Sequence, residues 1–441
     1  MPICKPKGTY DVLPNESWKW ERFEKLIRNV CKLYNYKEIR TPIFEHSELF
    51  HRSVGETSDL IKKETYDFLD RAGRNITLRP EGTAGVARAY IENKLYADGN
   101  VQKLFYMGPI FRYERPQKGR TRQFSQFGVE ALGSKSPLMD AEVIAFAFTS
   151  LRALGLKGVK VKLNSIGDDE SRSNYRVALV DYFSKYKDEL CGDCLNRLEK
   201  NPLRILDCKV DNNKNFFLNA PKISDFLNEN SKEHFNKVLE ALKEMGIPYE
   251  INLNLVRGLD YYCHTVFELE ADLDGMGAQN VVGGGGRYDK LIGDLEGPNT
   301  PCVGMAFGVD RLLIAMESLG LLNEHKEYIH VYFIALGEKA RIATQRLLYT
   351  LRLGGIMCEA DYLEKGLKGQ FKQADRHNAR FTAILGDNEL ENQVINIKNN
   401  DTEEQETINI NDIYSYVLGS IQSKTIGACS TCNKNGGNQN E

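Results

Sequence analysis

The stretch Leu255 to Tyr262 reads Leu-Val-Arg-Gly-Leu-Asp-Tyr-Tyr and sets a guanidinium and a carboxylate among apolar and aromatic side chains. Its strand-like composition predicts burial, and an unpaired charge in a low-dielectric interior is strongly disfavoured. Arg257 and Asp260 must therefore meet each other, other polar groups or a bound anion. Whatever fold the chain adopts has to build a polar socket around this stretch. One reading is a structural ion pair. The other is an anion-binding arginine on the floor of an active site, with the Tyr261 and Tyr262 hydroxyls offering aimed hydrogen bonds.

A chain of 441 residues with ordinary hydrophobic content can bury a large core and is long enough for more than one domain. No apolar run is long enough to span a bilayer, and the first seven residues lack the apolar core of a secretory signal. A cytoplasmic protein without a membrane anchor is expected. The 10 cysteines stand mostly alone in apolar or mixed surroundings and read as free thiols rather than a secreted disulfide framework. The net charge of -3 gives no global signal for nucleic acid, so such binding has to come from local basic patches.

In chain order, Phe23, Leu26, Ile27, Val30 and Leu33 recur at helical spacing and predict a helix over 16–34. A short strand over 38–44 follows; it contains Pro42, which suits a sheet edge or a subunit contact. A strand over 75–78 runs into Arg79-Pro-Glu-Gly-Thr83 and then a helix. Strands over 101–113 and 123–130 form a long hairpin whose loop carries Arg115, Lys118, Arg120 and Arg122. A helix over 140–154 and a strand over 159–164 come next. From 168 to 248 the pattern turns helical, an insertion into a core that spans 1–325. Core strands resume at 249–255, 265–270, 280–282 and 302–308, the last passing into a helix over 309–318. Beyond Gly320 strands and helices alternate, which predicts a separate α/β domain over 328–424. Residues 425–441 are polar, rich in Asn and Gly, and read as a disordered tail.

The glycines from Gly283 to Gly286 are open to two readings, a turn or a pocket wall where a ligand lies against bare backbone. They do not form a known nucleotide loop: a Rossmann fingerprint needs glycine where Tyr288 stands, and a P-loop needs a Gly-Lys pair, which the chain lacks. The arginines say more. Arg112 leaves a strand at the cationic hairpin, Arg257 sits in the stretch described first, and Arg311 opens a helix after a glycine-lined strand. Together they suit a triphosphate held by guanidinium forks, which neutralise charge growing on phosphoryl oxygens during displacement at phosphorus.

Phe111-Arg-Tyr-Glu-Arg-Pro116 resembles motif 2 of the class II aminoacyl-tRNA synthetases, and Gly304-Met-Ala-Phe-Gly-Val-Asp-Arg311 resembles motif 3. The segment from Glu16 to Phe44 is similar to the dimer-forming motif 1. Leu255 to Tyr262 and Gly283 to Asp289 resemble the two signatures peculiar to histidyl-tRNA synthetases, and the resemblance runs from Lys7 to about Ile421. It implies an α+β class II core, an antiparallel six-stranded sheet with flanking helices, carrying a helical insertion and followed by an anticodon-binding α/β domain. It also implies a homodimer whose substrates are L-histidine, ATP with Mg²⁺, and tRNA(His).

Carried over residue by residue, the resemblance puts Arg112 on the α-phosphate and carboxylate. Arg311, beside Gly308, goes to the far phosphates, and Arg257 becomes a cationic catalyst opposite the α-phosphate. Glu81, Thr83 and Gln126 match positions that hold the α-ammonium. Glu130 and Tyr262 match those that read imidazole, with Tyr261 and Tyr288 lining the same pocket. A carboxylate at one ring nitrogen and a phenol at the other fix both ends of the ring, and apolar analogues would leave those groups unpaired. Arg115, Gln117 and Arg120 resemble the part that meets the tRNA acceptor end. A catalytically inactive relative, the regulatory subunit of ATP phosphoribosyltransferase, is the alternative; such paralogues typically lack the last domain and lose catalytic positions, and both are present here.

Cys191-Gly-Asp-Cys194 with Cys208 suggests zinc, but a structural site wants four ligands and the spacing shows no fourth, so no metal ligand is assigned. Cys429 and Cys432 in the tail read as free thiols. His46, His51, His264 and His377 are isolated along the chain, and each is expected to be solvated or satisfied within the core.

Overall fold

The hairpin of the first unit sets the geometry of everything around it. Strands Gln102–Phe111 and Gln123–Leu132 pair antiparallel along their whole length, from Gln102 opposite Leu132 to Phe111 opposite Gln123. On the second strand Phe127, Val129 and Ala131 point to one face and Gln126, Gly128 and Glu130 to the other, as the two-residue period requires. The apolar set packs with Phe23 and Ile27 of helix Pro14–Leu33, Phe146 of helix Pro137–Ala153 and Phe307. Phe127 lies 6.0 Å from Phe146 and 6.3 Å from Phe307, centroid to centroid. The polar set faces the opposite side, where the site is built.

In this computed structural model residues 2–54, 59–117, 119–208, 210–211, 213–257, 259, 261–271, 281–322 and 327–421 are described, and the chain divides into two units, 1–323 and 324–441. In the first unit the hairpin continues across the sheet through Cys302–Gly308, Val281–Arg287, Cys263–Glu270 and Lys160–Ser165, each neighbour antiparallel. They form the antiparallel six-stranded core that the resemblance implies. Lys37–Glu38 and Tyr249–Ile251 add a short parallel strand at either edge, making eight.

Two local expectations need correction. The predicted strand over 38–44 is two strands in two sheets: Lys37–Glu38 on the large sheet and Phe44–His46 in a three-stranded sheet with Asn75–Leu78 and Tyr66–Leu69. Pro42 lies between them, without a donor for either ladder. The carbonyls of Thr41 and Pro42 accept instead from the Arg79 guanidinium, at 3.1 and 3.4 Å. The stretch from Leu255 to Tyr262 is buried at Leu255, Tyr261 and Tyr262, but its described residues lie outside any strand. The chain turns at Leu253–Asn254, and the Asn164 side-chain amide donates to the carbonyls of Leu253 and Leu255, at 3.3 and 3.0 Å, in place of a ladder partner.

Between Ser165 and Tyr249 lie helices Asp169–Phe183, Gly192–Lys200, Asn215–Leu218 and Glu229–Glu244. Asp168 caps the first, accepting from Ser171 N–H at 2.9 Å, and Asn228 caps the last, accepting from Ser231 N–H at 3.0 Å. Tyr175, Phe183, Cys194, Ile205 and Phe216 pack together in a core of their own.

The second unit is a five-stranded sheet in the order Cys358–Ala360, Val331–Leu336, Phe381–Gly386, Val394–Asn399, Gln405–Asn409. The first three strands are parallel and the last two antiparallel. Helices Glu338–Leu353 and Leu367–Arg376 complete the strand and helix alternation, and Val331, Phe333, Leu348, Phe381 and Ile395 form its core. The expected tail, with Cys429 and Cys432, lies outside the described residues, as do Asp260 and Lys118. Among the described residues no helix is long and apolar enough to cross a membrane.

Candidate active site

Glu130, 1% exposed, sits at the centre of a buried polar cage. The Thr83 hydroxyl donates to its Oε1 at 2.7 Å, and the Tyr288 hydroxyl donates to its Oε2. Burial pushes its carboxyl up to about 8; the two hydroxyl donors oppose the rise and the nearby charge of Glu81 adds to it. Glu81 is itself buried, and burial raises its carboxyl too. The break at Pro80-Glu81-Gly82 lets that side chain turn back on helix Thr83–Glu92, where it accepts the N–H groups of Thr83 and Ala84, each at 2.7 Å.

Tyr106 stands opposite Gly128 in the sheet register and fills the room this glycine leaves between Gln126 and Glu130. A Cβ at Gly82 or Gly128 would overlap its ring, and its hydroxyl reaches Gln126 Oε1 at 3.4 Å. The sequence gives one sign of this residue, a glycine between two polar side chains on one strand face. The Tyr261 ring lies 4.7 Å from Tyr262 and 5.4 Å from Tyr288, so the three nominated tyrosines close one wall.

Arg257 Nη1 donates to Glu268 Oε1 at 2.7 Å. Its guanidinium lies 6.0 Å from the Tyr262 ring centroid, and its Nε is buried without a hydrogen-bond partner among the described residues. Burial alone would weaken its hold on the proton, but Tyr262 and Glu268 outweigh it and the guanidinium stays charged. Gly283 and Gly284 line the same cleft as Arg257, and a Cβ at Gly284 would stand 2.8 Å from Arg257 Nη1, so these two form a pocket wall within a central strand and not a turn.

Arg112, Arg257 and Arg311 line a single cleft of about 240 Å³ together with Gln126, Gly284 and Gly308. Arg112 Nε donates to Pro80 O at 2.8 Å, and Arg311 Nε to Gly119 O at 3.1 Å. Burial, and then the charges of Arg120 and Arg112, hold Arg311 below the usual guanidinium range. Like charges crowded into one cleft favour a polyanion.

Residues 8–167 and 198–312 match the family model of histidyl-tRNA synthetase, and residues 330–419 match that of an anticodon binding domain. The chain belongs to the histidyl-tRNA synthetase family. A histidine–tRNA ligase of Geobacillus sp. (strain WCH70) is 52% identical over 418 residues, 95% of this chain and 99% of the relative. One from Acholeplasma laidlawii (strain PG-8A) is 52% identical over 413 residues, 94% of this chain and 98% of the relative. The crystal structure of apo histidyl-tRNA synthetase from S. aureus superposes with a TM-score of 0.80 at 43% identity, covering 94% of this chain and 100% of that one. The sheet of the first unit is therefore a class II synthetase core, and the second unit is an anticodon-binding domain.

Within this histidyl-tRNA synthetase frame, Glu81, Thr83, Glu130, Tyr261, Tyr262 and Tyr288 come together in the buried cage, and Gln126 joins the cage to the arginine cleft. Arg115 and Gln117 are exposed on the hairpin loop, whereas Arg120 lines the cleft beside Arg311. A network that local pattern did not reveal lies behind Tyr288: fully buried Arg287 pairs with Asp140, which also accepts from Thr265 Oγ1 at 2.7 Å and meets His234 Nε2 at 2.8 Å. His264 corrects another expectation. Its Nδ1 is buried without a hydrogen-bond partner among the described residues, and its ring stacks on His234 at 4.9 Å. The statement that no fourth ligand accompanies Cys191, Cys194 and Cys208 is also corrected, because the turn after Cys208 brings in Asp211.

Gly304 faces Glu130 across the sheet, and a Cβ at 304 would overlap Glu130 Oε2. Gly304→Ala is expected to cost about 1–3 kcal/mol of stability through overpacking and to weaken histidine binding. Thermal melts and calorimetric titration with histidine check both; a variant with wild-type affinity would show that Glu130 can be displaced without loss.

Proposed function

We propose that this protein is a histidine–tRNA ligase: the carboxylate of histidine attacks the α-phosphate of ATP, pyrophosphate leaves, and the terminal ribose hydroxyl of tRNA then takes the histidyl group as AMP departs. The observation that carries this reading is the meeting of three arginines in one cleft beside the cage around Glu130. The cleft suits the triphosphate. The cage suits a small substrate with a cationic amine and a ring that both donates and accepts.

In the activation step Arg112 holds the α-phosphate and the histidine carboxylate as neighbours, Arg311 holds the far phosphates, and Arg257 neutralises charge as it grows on the α-phosphoryl oxygens. Glu81, Thr83 and Gln126 position the ammonium. Glu130 and Tyr262 hold opposite ends of the imidazole, with Tyr288 supporting Glu130. The ATP would carry magnesium, whose hard-oxygen preference suits phosphate and carboxylate. Glu114 is a cleft carboxylate, 3.5 Å from Arg120, and would hold the ion; Asp310 is already engaged by the Tyr10 hydroxyl and by Ser125 N–H. Bound there, magnesium would offset phosphate charge and orient the leaving pyrophosphate.

Arg115 and Gln117 would meet the acceptor end of tRNA(His), and their exposure on the hairpin loop supports that reading. Exposed Ile43, Phe44, Phe68 and Leu69 around the small sheet support a homodimer through the motif 1 region, and unpaired cysteines support a cytoplasmic setting. Sedimentation measures the first directly. The regulatory-subunit reading is not favoured, since the charged cleft and the anticodon-binding domain are both present.

Histidine-dependent exchange of labelled pyrophosphate into ATP tests the proposal, and exchange that is absent or equally served by other amino acids would sink it. A chain ending at Asn323 is expected to keep this exchange, because the first unit has its own core. Its kcat/KM for charging tRNA(His) should fall by about tenfold or more, or 1.4 kcal/mol. Unchanged charging would remove the tRNA role from the second unit.

A further inference from the structure

We propose that Cys191, Cys194, Cys208 and Asp211 form a structural zinc site in the inserted helical segment. Their candidate ligand atoms all lie within 4.8 Å of one another, and all but Cys191 are buried. Cys191 Sγ and Cys208 Sγ stand 3.7 Å apart. Two thiolates, each about 2.3 Å from zinc at a tetrahedral angle, are separated by about 3.8 Å. A disulfide needs about 2.05 Å, and ions that prefer oxygen do not select a set with three sulfurs.

The surroundings orient the ligands. Asp211 has a fully buried side chain whose Oδ2 accepts the Cys191 N–H at 3.0 Å, while its own N–H reaches Cys208 Sγ at 3.4 Å. Its Oδ1 has no hydrogen bond of ordinary geometry among the described residues, although Lys214 Nζ stands 2.8 Å away as an ion-pair partner. That leaves an acceptor lone pair beside three sulfurs, with an ammonium to offset part of the excess negative charge of three thiolates and a carboxylate around one dication. Cys191 caps helix Gly192–Lys200, and Cys194 lies in its first turn. Binding would release the three thiol protons to solvent.

Two ligands sit at the start of that helix, and two follow the turn Pro202–Asp207. The ion therefore closes a loop whose far end, Lys200 and Asn201, lines a second cleft reached by Arg257. Half of the ligand set, Cys191 and Cys194, falls in the 168–197 break of the family match.

Elemental analysis of the full chain purified without chelator should find one zinc per chain. The Cys429→Ser/Cys432→Ser double variant should keep it, while Cys194→Ser and Cys208→Ser should lose it. Should either single variant fail to fold, cobalt substitution of the wild-type chain still decides, since the site requires thiolate-to-cobalt charge transfer and tetrahedral ligand-field bands. The proposal is overturned by a folded wild-type chain that takes up neither ion and has all three thiols open to alkylation. A Cys191–Cys208 disulfide in peptide mass spectra, or loss of zinc in the tail variant alone, overturns it equally.

Discussion

Arg257→His is expected to lower the rate of histidine-dependent pyrophosphate exchange by roughly 10²–10³-fold, the usual loss when one preorganised donor to developing charge is removed. The effect should fall on kcat, with KM for histidine changed little, because Arg257 lines the arginine cleft proposed for the phosphates and meets the proposed histidine cage at the Tyr262 ring. The fold should survive. Arg257 and Glu268 are each more than a fifth exposed at the side chain, so the abandoned carboxylate can recruit water. A loss confined to KM for histidine would move Arg257 from catalysis to substrate binding, and unchanged exchange would remove it from the site.

Glu130→Gln is expected to reduce kcat/KM for histidine by about 5- to 150-fold, or about 1–3 kcal/mol, with KM for ATP nearly unchanged. The raised carboxyl gives this substitution an unusual form. With its carboxyl pushed up to about 8 by burial, Glu130 is expected to keep its proton at neutral pH in the ligand-free protein, the form that glutamine mimics. What glutamine cannot do is pass a proton to the imidazole and become the carboxylate of an ion pair. Such a transfer leaves the total proton count unchanged near pH 7, but above about 8 the ligand-free carboxyl is ionised and binding must take a proton up. Histidine affinity should therefore weaken above about 8 in the wild type relative to the glutamine variant, as titration calorimetry in buffers of different ionisation enthalpy will show.

The same group sets a stability trend with a definite sign. Its folded value lies above the ordinary 4.5, so between 4.5 and about 8 the folded protein binds more protons than the unfolded chain. Stability from this group is then present below that window and lost as pH rises through it. The melting temperature of the glutamine variant should fall less over this range than that of the wild type. Parallel curves would mean that the carboxyl is not raised, and the binding prediction would fall with it.

Much of this site is legible along the chain because it depends on short-range geometry. Gln126 and Glu130 share a strand face by period alone, and the breaks at Pro80-Glu81-Gly82 and Gly308 mark where polar groups leave a strand to open a helix. What escapes notice depends on register across the sheet or on a turn. The partner of Arg257 is Glu268, reached only once the chain has folded back, and Tyr106 belongs to the site only because it lies opposite Gly128. Arg287 gave no sign of its pairing with Asp140, which is 147 residues away. The run from Leu255 to Tyr262 carried the right chemistry and the wrong backbone, since Asn164 replaces the ladder its composition suggested.

The glycines that face Glu130 and Arg257 restrict the historical routes open to this chain. Glu130 fits only while position 304 lacks a Cβ, and Arg257 crowds any Cβ at 284. On the proposed reading, a lineage drifting toward another amino acid could not begin by enlarging the glycine strand, because the first step would displace the carboxyl proposed to recognise the old substrate. It would have to shorten the residue at 130 first and pass through a form that selects poorly. If Glu130 reads the imidazole as proposed, substrate choice is held by mutual exclusion between neighbouring strands, and escape requires coordinated change in both.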